Sequence, residues 1–64
     1  MDIPLIQEKL NEIRMAWTLA DRRMEVAQKI IAVEPEGALT NINIAIETCN
    51  HIKSRLVSLK EELV

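Results

Sequence analysis

The chain has 64 residues, 48% of them apolar, yet it contains no Phe or Tyr and a single Trp. Ten carboxylates against eight Lys and Arg give a net charge of −2, a mixed surface that argues against strong general affinity for nucleic acid or anionic membranes. One Cys excludes an internal disulfide, and one Cys with one His argues against a structural zinc site built by one chain, so oligomerisation is the expected remedy for so small a core.

Asp2 or Ile3 can cap a first helix, and Pro4 suits its opening position, where a missing N–H costs nothing. The pattern then runs without Gly or Pro to Val33, which predicts a first helix over about 4–33, about 45 Å long at 1.5 Å per residue. Along it, Ile3, Ile6, Leu10, Ile13, Trp17, Ala20, Met24, Ala27 and Ile31 recur in unbroken steps of three and four. That spacing is the signature of a helix packing along a narrow seam. Pro35 and Gly37 punctuate the chain next, so the connector is expected at about 34–37. Pro35 could instead open the second helix with Glu34 as its cap. The second helix is predicted over about 38–63, with a seam of Ala38, Ile42, Ala45, Cys49, Ile52, Leu56, Leu59 and Leu63. Asn41 and Asn43 weaken its first turns, so fraying is expected there.

A short connector makes the two helices antiparallel neighbours. Opposed seam positions should then have residue numbers with a constant sum, and they do, at 69. The layers are Ile31 with Ala38, Ala27 with Ile42, Met24 with Ala45, Ala20 with Cys49, Trp17 with Ile52, Ile13 with Leu56, Leu10 with Leu59, and Ile6 with Leu63. The four layers nearest the turn each contain Ala, and the four nearest the termini contain only large residues. A second hairpin laid antiparallel would set each thin layer against a thick one, as close-packed cores require. The expected fold class is therefore all-α: a two-helix antiparallel hairpin, a single domain, forming a homodimeric four-helix bundle whose core is these sixteen residues.

The layout resembles that of the Rop family of small helical-hairpin proteins. The resemblance spans the whole chain and is one of architecture: a short hairpin, eight mixed layers and an antiparallel dimer. It implies an RNA-contacting face on the first helix, and Lys9, Arg14, Thr18, Arg22 and Lys29 hold the matching positions. Of these, Lys9, Arg14, Arg22 and Lys29 are the candidate nucleic-acid face. Glu8, Glu12, Asp21 and Glu25 interleave with them, so phosphate binding is expected to be weak and salt-sensitive, and nucleic acid is not the favoured partner.

Residues that could carry chemistry have plainer readings. Trp17 and Cys49 lie on the seam; a core Cys behaves as a small hydrophobe rather than a reactive thiol. Glu47 and His51 share a helix face, but two residues do not make a metal site. No Gly-rich phosphate loop, Ser–His–Asp arrangement or paired catalytic carboxylates occur. Leu19-Ala20-Asp21-Arg22-Arg23-Met24-Glu25-Val26-Ala27 resembles the first helix of bacterial chorismate mutases, which need three helices and further basic residues. No catalytic, cofactor-binding or metal residues are assigned, and the protein is not expected to be an enzyme.

Leu5, Leu19, Val26, Ile30 and Val33 on the first helix, and Leu39, Ile44, Ile46 and Val57 on the second, broaden the apolar stripe beyond the seam. Leu19, Val26 and Val33, at seven-residue spacing, are the best candidates for a second interface, with a protein partner or a tetramer as its occupant. No apolar run approaches the roughly 18 residues of a membrane span, and the N-terminus lacks the basic start of a signal peptide. A cytoplasmic setting and no membrane partner are expected. The functional expectation is a small non-enzymatic, self-associating module acting through its outer faces. A Rop-like RNA-binding dimer and an assembly subunit or adaptor that captures a partner helix are the alternatives.

Overall fold

Asp2 starts the first helix. The structure, a computed structural model, describes residues 2–64. At Asp2 the backbone is extended (φ −90°, ψ 92°), and the side chain accepts a hydrogen bond from the Leu5 N–H at 3.1 Å. That bond satisfies one of the donors a helix start leaves without a partner. Helix α1 then spans Ile3–Ile30.

α1 stops three residues short of the expected end. Residues 31–33 form a turn in which the Val33 and Glu34 N–H groups both donate to the Ile30 carbonyl, at 3.0 and 2.7 Å. Pro35 is the cause, because its ring disfavours helical backbone at the preceding residue. Glu34 accordingly leaves the helical region (φ −137°, ψ 75°) and stands at the cap of the second helix, with no side-chain capping bond. Pro35 opens that helix, α2, which spans Pro35–Leu63. Of the two roles open to Pro35, the structure assigns it the second.

Gly37 therefore lies in the first turn of α2 rather than in the connector, and its φ is not positive. What it provides is room. A Cβ there would stand 2.9 Å from the Glu34 Cδ and 3.2 Å from the Ile30 Cδ1. α2 is continuous through Asn41 and Asn43. Asn41 is held in place: its amide donates to the Gly37 carbonyl at 2.8 Å, and its side-chain oxygen accepts from Arg23 Nη1 at 3.4 Å.

The two helices pack antiparallel along their whole length in a slab 50 × 16 × 10 Å. Each helix buries one residue in seven. On α1 these are Ile6, Ile13, Ala20 and Ala27; on α2 they are Ala38, Ala45, Ile52 and Leu59. At the termini Ile6, Ile13, Ile52 and Leu59 form one cluster with Ala16 against it. Towards the turn the buried residues are all Ala, and Ala20 and Ala38 are wholly covered (0% exposed). The expected helical hairpin is thus what the chain forms, and it covers half of the predicted seam.

Candidate interaction faces

The other half of the seam lies open along one side of the hairpin. Leu10, Trp17 and Met24 on α1, Ile31 just past its end, and Ile42, Leu56 and Leu63 on α2, are exposed; Cys49 is half-buried. The division follows the heptad. A two-stranded coiled coil covers both seam positions of each heptad; here each helix turns one of the two toward its neighbour and leaves the other along the open side. In every predicted layer one residue is covered and one is open: Ile13 is covered and Leu56 open, Ile52 covered and Trp17 open, Ala20 covered and Cys49 half-open. Near the termini the open series widens into a groove of about 630 Å³, lined by Leu10, Ile13, Arg14, Trp17, Ile52 and Leu56. Trp17 remains 54% exposed on its wall.

The opposite side of the hairpin is polar near the termini. Lys9 Nζ donates to both carboxylate oxygens of Glu62, at 3.0 and 3.3 Å, and Arg55 Nη1 to Glu12 at 3.5 Å. These pairs cross between helices and flank a shallow groove of about 270 Å³ that also holds His51, Ser54 and Ser58. Each partner is about half exposed, so the pairs add little to stability. They do occupy the charges of this side with one another. The sequence signal for them was present: both pairs sit within two residues of the register sum of 69, on positions that flank the covered series.

The candidate nucleic-acid residues are not brought together. Lys9 is on the polar side, paired with Glu62. Arg14 borders the apolar groove on the other side. Arg22 and Lys29 share the outer strip, where Lys29 donates to Glu25 at 2.9 Å. That hydrogen bond and the Lys29 charge hold the Glu25 carboxyl below its ordinary value, with a smaller contribution from Arg22. Thr18 turns its hydroxyl back to the Arg14 carbonyl at 3.2 Å.

Leu19, Val26 and Val33 are exposed, Val33 most of all at 89%. By heptad position they lie beyond the covered series, away from the open face. Ile44 is half-buried on the same side, whereas Leu39, Ile46 and Val57 are exposed. Among the described residues no three His, Cys, Asp or Glu side chains are grouped to hold a metal ion. No described helix is long and apolar enough to cross a membrane. Comparison of the chain with known protein families, with curated proteins and with solved structures finds no match.

Proposed function

We propose that the protein is a non-enzymatic, self-associating helical module. Two hairpins join through their open faces into a Rop-like homodimeric four-helix bundle, and the outer faces carry its regulatory or assembly role. The observation that supports this reading most is the alternation within the layers. Each of the eight layers pairs one covered residue with one that a second copy would cover. The surface area points the same way. The hairpin exposes 5204 Å², whereas a folded monomer of this mass exposes about 4,200 Å².

Light scattering across a dilution series, with helicity followed in parallel, tests the proposal. A dimer that loses helicity on dilution is the expected result. A monomer that keeps its helicity at micromolar concentration would overturn it. A tetramer would assign Leu19, Val26 and Val33 to a second interface and favour the assembly-subunit reading. The RNA-binding alternative draws no support from the dispersed and partly paired cations of α1.

A further inference from the structure

The residues that border the open face distinguish between the ways two copies can meet. This inference rests on the dimer proposed above. Two hairpins stacked face to face by a two-fold axis have two arrangements. In one, the turns lie at the same end and α1 sits on the partner's α2. In the other, the turns lie at opposite ends and each helix sits on its own counterpart. Heptad geometry places Gln7, Arg14, Asp21 and Gln28 beside the open series on α1, and Leu39, Ile46, Lys53 and Lys60 beside it on α2. Arg14 indeed lines the groove with Leu10, Trp17 and Leu56.

With the turns at the same end, the layer register sets Arg14 against the partner's Lys53, twice per dimer, and Asp21 against the partner's Ile46. Like charges face each other and the carboxylate faces an apolar side chain. With the turns at opposite ends, centring the bundle between the Trp17 and Ala20 layers sets Arg14 against the partner's Asp21, and Gln7 against the partner's Gln28. Along α2 it sets Lys53 against the partner's Ile46 and Lys60 against the partner's Leu39. A Lys stem can lie along an apolar side chain while its ammonium reaches water. No like-charged pair remains on either border.

The charges are free for this task. Among the described residues the ion pairs are Lys9–Glu62, Glu25–Lys29 and Glu12–Arg55. Arg14, Asp21, Lys53 and Lys60 take part in none of them. The ion pairs that cross between the helices lie on the polar side, and none of the three lies beside the apolar face. Volume agrees with charge: opposite ends lay the Ala20–Cys49 layer on the partner's Trp17–Ile52 layer, whereas same ends lay thin on thin. We infer that the open face is a self-recognition surface. On it two symmetry-related Arg14–Asp21 pairs, one on each side of the two-fold axis, make the partner a second copy turned end for end.

A charge-reversal cycle tests this, read as the dimer dissociation constant by sedimentation. R14E and D21R each place two like-charged contacts at the border, and each should weaken the dimer by roughly three- to thirtyfold. The double variant R14E/D21R restores opposite charges and should return to within about threefold of the parent. If the two single losses instead add in the double variant, the pairing is wrong. Orientation is read separately from spin labels on Q7C/C49A. Opposite ends put the two labels about 35 Å apart, whereas same ends put them within about 20 Å, at 1.5 Å per residue and 8–10 Å between helices. A short distance would overturn the inference and leave the dimer standing. A chain that stays monomeric would overturn the dimer itself.

Discussion

Ala20 is the residue where the layered packing is most exposed to test. It is wholly covered at mid-helix, in the layer it shares with Cys49. Its small size is a requirement of the packing, because the hairpin alone already leaves it no free surface. Ala20→Leu adds three carbons where none fit, and overpacking of this kind costs roughly 1–3 kcal/mol. Denaturant unfolding should register that loss; a more stable variant would mean the layers are wrongly paired. Asp2 is a different case, since it is exposed and acts through one bond to the Leu5 N–H. Asp2→Ala should cost about 0.5–2 kcal/mol of helix-end stability, visible as faster amide exchange at Leu5.

The element scale separates what the sequence makes legible from what it does not. Both helices and their antiparallel packing follow from the steps of three and four, because a seam repeats in the sequence wherever a helix has a neighbour. Which half of each seam the hairpin covers does not follow. The two heptad positions are equally apolar, and only the side on which the turn brings α2 down selects Ile6, Ile13, Ala20 and Ala27. The end of α1 at Ile30 is not legible in the sequence, because Ile31, Ala32 and Val33 have no helix-breaking chemistry of their own; Pro35 acts on them from a distance. Gly37 reads in the sequence as turn punctuation, yet it belongs to α2, where Ile30 and Glu34 crowd the space a Cβ would need. Among the candidate binding residues, the separation of Lys9 from Arg14 depends on which flank each occupies, and that is fixed only once the covered series is known. Gly37 also yields a prediction. Gly→Ala inside a helix is worth up to about 1 kcal/mol, but the added Cβ would press on the Ile30 Cδ1 at 3.2 Å. Gly37→Ala alone should therefore change stability little. Combined with Ile30→Val, which removes that methyl group, it should exceed the sum of the two single effects. Strict additivity in a double-mutant cycle would show that Ile30 does not account for the glycine.

For the whole molecule, the question is what a hairpin this thin can sustain alone. Ala20 and Ala38 are its only wholly covered residues among those described, and none of its large apolar side chains is wholly buried. Seventeen large apolar residues are exposed. A single apolar layer between two helices gives little burial to set against the conformational entropy of ordering the chain, about 1–2 kcal/mol per residue for the backbone alone. Folding and association should consequently be one transition, with stability that depends on concentration. For a dimer of two such chains, per-residue unfolding entropies predict that a tenfold rise in concentration lifts Tm by about 5 °C. Trp17 supplies the matching local signal. It is 54% exposed in the single hairpin and sits in the proposed interface, so its emission should move to the red in the same concentration range in which helicity is lost. A Tm independent of concentration, with Trp17 emission unchanged on dilution, would mean that the hairpin stands alone and that its open face serves a different partner.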